Sequence, residues 1–488
     1  MFKTLILKEI RETLHNFQFL IATLLCLVLI PLGMYVTLKE YEQRLSDYQD
    51  SVRLYQERSE GRINSNFNAE GYRPPSVMSI FSSGLEYFLP TKVVTSSDGQ
   101  FKMLNESGIN NPQSLLSGKV DFLFIVSFVL SLLALIFTFS SISGEKETGT
   151  LSLIMSNSVP RWKIILAKVL GNYAVFLAPF LIALLIAILI VNISGVVSVL
   201  SGEIFPSFLV ILFVTLLFIF SMFNLGMLVS TLTHRSIISM ITLLFVWVVL
   251  VLVVPKICPM VAEILYPVKS QQVVNNEKQA IRANLESELD QKRRELFDRT
   301  MIDYGLDPRN IDRLRLSPAW DKASAQYNED KIPIEEDYQK RIVTATERIE
   351  QDYSNRRNIQ DAIAKNLSRI SPVSCYTYIL SELSGSGVME INNFLEHAQR
   401  FRDQVKQDIY DNIIWSRYGN TFGQILVDAR LADGFNPRNV SVPHISDYQH
   451  TNLEQALKAE WVDIVLLVLF SILFFAASFV SFIRYDVR

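Results

Sequence analysis

Cysteine is nearly absent from this chain of 488 residues, and the three present, Cys26, Cys258 and Cys375, make no CxxC pair and no disulfide framework. Cys26 falls inside an apolar run, where it serves as packing. Cys258 and Cys375 share one long connection, and a bridge between them stays open from sequence. No long block of one charge sign occurs, and the net charge of -3 gives no reason to expect nucleic acid or an acidic substrate. Internal repeats and low-complexity segments are lacking as well.

What the chain has in excess is apolar side chain. At 49% hydrophobic residues with a positive mean hydropathy, it carries more than one soluble core requires. Six runs have membrane-crossing length: Phe17 to Leu38, Phe122 to Ile142, Tyr173 to Ile193, Pro206 to Thr231, Ser236 to Val254 and Val462 to Ile483. None has Asp, Glu, Lys or Arg at its centre, where each charge would cost about 3 kcal/mol to insert. That absence removes the intramembrane ionisable groups on which an ion-coupled transporter depends. Ahead of the first run, residues 1–16 place Phe2, Leu5, Ile6, Ile10 and Leu14 at helical spacing, which predicts an interfacial helix. The first run ends in VTLKEYEQR with no small-residue cleavage pattern, so a retained anchor is expected rather than a signal peptide.

Lys and Arg gather in alternate short connections: Lys3, Lys8 and Arg11; Lys146, Arg161, Lys163 and Lys168; Arg235 beside His234; Arg484 and Arg488. The short opposite connection, Ser194 to Phe205, holds only Glu203. The positive-inside rule then sets both termini in the cytoplasm and exports residues 39–119 and 256–461. The first exported segment reads as a charged helical continuation followed by a small cap, Gly, Ser, Asn and Pro rich around Gly61 to Pro75, with a packed loop or short strands in PSVMSIFSSGLEYFLPTKVV. In the second, Val274, Ile281, Leu285, Leu289 and Leu296 share a helix face. A break at Tyr304 to Pro308 separates them from a charged helical region, Pro318 to Ile370, interrupted by Pro333. The expected fold is an all-α polytopic membrane protein with six transmembrane helices, an N-terminal interfacial helix and a mainly helical exported domain built on a long hairpin.

Chemistry-bearing constellations are few. His397, His444 and His450 fit no compact metal site and no Cys or Met cluster joins them. Glu335 with Glu336, and Arg356 with Arg357, read as solvated helix faces. Ser221 and Asn224 in the fourth run are candidates for a translocation path, although polar residues in bundles more often bond a neighbouring helix. No nucleophile, acid and base stand together, so no catalytic residue is assigned.

The stretch that organises the rest is the cytoplasmic elbow, residues 143–172, SGEKETGTLSLIMSNSVPRWKIILAKVLGN. Gly144 and Gly149 have the spacing of a P-loop, but Thr150 and Leu151 stand where Lys and Ser or Thr must be, so the elbow is not a nucleotide site. A first short helix is expected from Lys146 to Met155. A second is capped by Ser158, with Pro160 in its first turn. Its apolar side is Trp162, Ile164, Ile165 and Val169, with Arg161, Lys163 and Lys168 near headgroup level.

GEKETGTL directly after the second span, then a turn with Pro and Arg, then an apolar helix ending in Lys and Gly, resembles the permease subunits of type-2 ABC exporters. The resemblance is closest to the branch with a large exported domain between spans five and six, the copper-enzyme-maturation permeases. The matching positions are Gly144, Glu145, Glu147, Gly149, Thr150, Leu151, Pro160, Arg161, Lys168 and Gly171, with Lys146 inside the same motif. A weaker likeness lies in SRISPVSCYTYILSELSGSG, Ser368 to Gly387. The resemblance implies a bacterial inner-membrane permease that is not itself an enzyme and binds no cofactor. A separate ABC ATPase, in two copies, would carry ATP and Mg and dock on the elbow's coupling helix, with Phe2 to Leu14 as a connecting helix beside it. A second permease copy or paralogue and membrane lipid would be the other partners. Two other functions stay open: mechanotransmission, in which the exported domain acts on an envelope partner without transport, and a non-ABC receptor or scaffold with an inert elbow.

Overall fold

The computed structural model describes residues 2–59, 68–86, 88–96, 101–105, 120–156, 160–200, 202, 204–309, 317–412 and 448–485. Six helices among them are long and apolar enough to cross a membrane: Phe17–Arg58, Phe122–Glu147, Arg161–Ile193, Phe205–Leu232, Ser236–Leu265 and Trp461–Arg484, the first to sixth span helices below. The chain is an all-α polytopic membrane protein with a single small sheet among the described residues. Helices suit a bilayer because each satisfies its own backbone polar groups where no water can.

The fourth span helix is the centre of the bundle: 61% of its apolar stretch is buried, as in the second, against 17% for the fifth and the sixth, and it packs against the second, third, fifth and sixth. Aromatic rings from three helices interlock around it: Phe137 with Phe176 at 5.1 Å, and Tyr173 with Phe220 and Phe223 at 5.2 and 5.6 Å. Gly226 lets the second and fourth helices approach, since any Cβ there would collide with the Thr138 hydroxyl.

The fifth helix contains a wide turn, Val248–Val253, in π register, followed by Pro255. Val254 donates to the Val249 carbonyl, and the next amide in that register is the one proline lacks. The Leu250 carbonyl is met instead by the Ser371 hydroxyl at 2.7 Å. Ser371 also caps the helix Pro372–Leu383, accepting from the Val373 amide at 3.2 Å. Residues 256–461 therefore do not form one body apart from the span helices. Helix Pro372–Leu383 is tucked against the fourth and sixth span helices, where Tyr376 stacks on Phe218 at 4.5 Å and its hydroxyl meets Thr215 at 3.1 Å. The fifth helix likewise runs on to Leu265 instead of ending near Val254.

On the same face the first span continues as one helix, Phe17–Ser59. Strands β1 (Asn68–Tyr72), β2 (Lys92–Ser96) and β3 (Phe101–Leu104) form an antiparallel sheet with Val93 opposite Gly71 and Met103. This cap docks on the buried helix through Ser76, which donates to the Ser384 carbonyl at 2.9 Å, and through Leu85, whose amide donates to Ser386 at 2.9 Å. Gly385 takes φ +63°, and a Cβ there would meet the Ser76 hydroxyl oxygen at 2.6 Å.

The hairpin consists of Gln271–Asp303 and Trp320–Ser368, with Gly305 at φ +72° in the break between them. Ion pairs cross it from Arg293 to Glu335 (2.5 Å), Arg341 to Glu288 (3.3 Å) and Lys278 to Glu350. Pro333 does not interrupt the second helix as expected. A mid-helix proline costs about 3 kcal/mol in isolation, and packing along the partner helix, fastened two residues later at Glu335, holds the line. All three cysteines are free, so Cys258 and Cys375 do not pair. His444, Ser158, Glu203, Arg488 and the stretch Gly61 to Phe67 lie outside the described residues.

Helix Val388–Asn412 is tied to residues 448–451 by Glu390, whose buried carboxylate accepts from His450 Nδ1 (2.6 Å), the Thr451 amide (3.0 Å), the Thr451 hydroxyl and the Tyr448 hydroxyl. Burial alone would raise its pKa; His450, Thr451 and Tyr448 outweigh that and bring it from 4.5 down to about 2. A depressed carboxyl contributes stability that is fully present above pH 4.5 and is lost as pH falls through 2. Glu390→Gln should therefore lower stability at pH 7 by on the order of 3 kcal/mol, and it should flatten the acid limb of a thermal-unfolding series run from pH 7 to pH 2. Equal midpoints for variant and wild type at pH 7 would show that the carboxylate contributes nothing.

Candidate coupling site at the elbow

The elbow begins where the second span helix ends. Ser230 of the fourth helix accepts from the amides of Ile142 and Ser143 at 3.0 and 3.1 Å, which fixes the phase of the short helix Ser143–Glu147. Three consecutive charges follow, about 100° apart around the axis, and each goes to a different element.

Glu145 turns inward to Lys168, 2.7 Å away near the start of the third span helix. Lys168 is 3% exposed and also reaches Glu9 of the N-terminal helix Phe2–Leu14, at 3.2 and 3.3 Å. Burial raises the Glu9 carboxyl above its ordinary value even though Lys168 opposes the shift. One turn further along the third helix, Gly171 brings the two helices together: an added Cβ would stand 2.9 Å from Glu9 Cβ and 3.3 Å from the Ile6 carbonyl. Asn172 completes the seat by accepting from the Thr13 hydroxyl at 2.6 Å.

Lys146 caps the other helix end. Its ammonium donates to the carbonyls of Thr231 and Thr233 (3.2 Å to the latter), where the fourth helix terminates and its dipole is negative. Glu147 does the converse, accepting the Ser236 amide at 3.0 Å at the positive start of the fifth helix. The two charges thus staple the Thr233–Arg235 turn between them.

Gly149, at φ +75°, then breaks the expected continuous helix into Ser143–Glu147 and Thr150–Ser156. Gly144 sits inside the first piece with ordinary helical geometry, so only one of the two glycines bends the chain. Leu151 is sunk in the core, while Leu153 on the same short helix is 67% exposed. Pro160 occupies the N-cap of Arg161–Ile193, a single helix that merges the expected second elbow helix with the third span. Ile164, Ile165 and Val169 are buried as expected, but Trp162 is 46% exposed and Lys168 is buried within the chain. Arg161 reaches the end of the sixth helix, donating to the carbonyls of Ile483 (2.7 Å) and Tyr485 (3.0 Å).

The sequence-derived site therefore divides. Glu145, Lys146, Glu147, Leu151, Lys168 and Gly171 are brought together as an intrachain hub. Gly149, Thr150, Pro160, Arg161 and the missed pair Leu153 and Trp162 lie on its exposed side. Leucine and tryptophan left in the open beside a charged hub were the available signal. Ser221 and Asn224 are wholly buried within the chain, and Asn224 donates to Phe220 of its own helix at 2.9 Å. Among the described residues no group of three or more His, Cys, Asp or Glu is arranged to hold a metal. His450 is committed to Glu390, and His397 to the Asn393 carbonyl at 3.0 Å.

Removing Lys168 would leave the buried Glu9 and the partly buried Glu145 carboxylates without their shared cation, and breaking a buried pair costs about 3–5 kcal/mol. Lys168→Met should lower the thermal midpoint of the detergent-solubilised chain and release the N-terminal helix to faster hydrogen exchange; wild-type protection of residues 2–14 in the variant would refute the clasp. Comparison with curated proteins returns no match. The family description "ABC-2 family transporter protein" does match, over residues 3–487, from the N-terminal helix through the sixth span. An integral membrane chain with six span helices and this elbow, matched over nearly its whole length, belongs to the ABC-2 transporter family as a membrane permease component.

Proposed function

We propose that the chain is the membrane subunit of an ATP-driven exporter in the bacterial inner membrane, with the elbow face and both termini cytoplasmic, coupled to a separate ABC ATPase that docks on that face. Two ATPase copies serve a pair of permease chains, and ATP and Mg belong to the ATPase. The observation that carries this reading is the outward side of the elbow. Helix Thr150–Ser156 is pinned through Leu151 yet leaves Leu153 67% exposed, on a base fastened to four span helices and the N-terminal helix. An apolar knob on so rigid a base suits a partner that pushes, and buried aromatic and apolar anchors carry most of the affinity at protein contacts. The elbow's own amides argue against phosphate binding: those of Lys146, Thr148 and Gly149 already donate to Ile142, Gly144 and Lys146 carbonyls.

The docking set is accordingly Gly149, Thr150, Leu153, Pro160, Arg161 and Trp162, not the inward Glu145 and Lys168. A mechanotransmission role, in which the far-side domain works on an envelope partner, is favoured by one feature: the hairpin is fastened directly to span helices, as described below. ATP-dependent accumulation of a cargo in inverted vesicles supports export, whereas hydrolysis that never moves cargo supports mechanotransmission.

Leu153→Asp should weaken co-purification of the ATPase about tenfold or more, the effect of losing a contact worth 1.4 kcal/mol or above, with the thermal midpoint unchanged. Glu145→Lys should do the reverse, lowering the midpoint first. Undiminished ATPase binding by Leu153→Asp would remove the knob from the interface, and an ATPase that never binds the wild-type chain would leave the receptor or scaffold reading.

A further inference from the structure

We infer that the helical hairpin is a lever arm driven from the elbow, with the fifth and sixth span helices as its two connecting rods. The inference rests on the docking reading for the source of motion, and on this chain's own joints for its transmission.

Each rod is attached to the elbow at its base. The fifth begins at Ser236, whose amide is held by Glu147 at 3.0 Å. The sixth ends at Ile483 to Tyr485, held by Arg161 at 2.7 and 3.0 Å and by the Lys146 ammonium lying 4.4 Å over the Tyr485 ring. A displacement of the elbow thus acts on the ends of both rods.

Each rod is attached at its other end to the base of the hairpin. At the fifth, Gln360 donates to the Tyr266 carbonyl at 2.8 Å, one residue past the helix end, and Ser371 takes the Leu250 carbonyl. At the sixth, Arg369 grips Asp463 with both arms, Nε to Oδ1 at 2.9 Å and Nη2 to Oδ2 at 2.7 Å, and Lys365 pairs with Glu460 at 2.6 Å. Asp463 is 0% exposed and Glu460 is buried, so these are committed contacts and not passing surface pairs. Every donor lies between residues 360 and 371, at the foot of a 49-residue helix.

The spacing of these joints sets the gain. Gln360 and Arg369 are about 14 Å apart along the helix and Trp320 is about 60 Å beyond Gln360, at 1.5 Å per residue. A displacement of Arg369 across the helix axis, turning the helix about Gln360, is therefore magnified about fourfold at Trp320. The cross-hairpin ion pairs keep the two helices moving as one. Helix Pro372–Leu383 stays behind in the bundle, because the chain leaves helical geometry at Ser371, whose φ and ψ are -98° and 126°.

The test uses the full chain with its ATPase in lipid nanodiscs, in a Cys258→Ser background that keeps the buried Cys26 and Cys375. Spin labels at Lys322→Cys, near the tip, and Lys102→Cys, on strand β3, report the tip-to-cap distance by double electron–electron resonance. A non-hydrolysable ATP analogue is expected to shift that distance. Lys365→Met/Arg369→Gln/Glu460→Gln/Asp463→Asn, which removes all four charges of the upper joint and leaves no buried ion unpaired, is expected to retain ATP hydrolysis while losing the shift. An unmoved tip in wild type with hydrolysis intact, or a full shift in the quadruple variant, overturns the lever. A second arm needs no ATPase: Lys146→Ala/Glu147→Ala/Arg161→Ala frees the lower joints and should broaden the tip-to-cap distribution in the chain alone, and an unchanged distribution again overturns it. Failure of the ATPase to bind, with this second arm positive, sinks the docking reading and not the lever.

Discussion

A lysine can be buried at the foot of a span helix only if its charge is met on the spot, and Lys168 is met twice, by Glu9 and Glu145. Neither carboxylate is local. One comes from the N-terminal helix and the other from the elbow, so a single ammonium decides where two otherwise independent segments sit. Gly171 and Asn172 lie three and four positions on, on the same helix face, and they extend that decision from a point to a line: close approach at one, a hydrogen bond at the other. With Glu145 held, the helical repeat leaves Lys146 and Glu147 no choice of direction. Their destinations are the two helix ends whose dipoles match their signs.

Much of this architecture was legible in the sequence because a membrane imposes coarse rules. Length and lack of charge identified the six span helices, and the Lys and Arg of the short connections grouped the elbow with both termini. The helix face of Val274 and Leu289 was readable from periodicity, and both are buried in the structure. The destinations of Glu145, Lys146 and Glu147 were not readable, since three adjacent charges look alike until the helix phase is known. That phase comes from Ser230, 87 residues away from Ser143. Trp162 was misplaced for the same reason: an apolar residue in an amphipathic pattern is assigned inward unless something shows that its face is open.

Helix Pro372–Leu383 was not read as part of the span bundle because its 12 residues are too few to span a bilayer and charged residues precede it. Those charges turn out to be how it is held. Arg369 and Lys365 find their partners, Asp463 and Glu460, at the head of the sixth helix. Pro333 erred in the opposite sense: the local rule predicted a break, and packing along a partner helix overrode it.

The wide turns of the second and fifth helices explain why a short helix lodges where it does. A π turn removes a carbonyl from the regular ladder, and in hydrocarbon that carbonyl must find another donor. In the fifth helix the vacancy is deepened by Pro255, and Ser371 fills it, so the defect becomes the attachment point for the next element. In the second helix the wide turn is Ile125–Leu130, and the Ser131 hydroxyl just beyond it folds back on its own helix and accepts the Trp247 indole N–H at 2.9 Å. Helix Pro372–Leu383 packs against both wide turns. Two irregular helices, each costly alone, therefore make one seat in which Ser371, Ser131 and the Tyr376 hydroxyl all find partners.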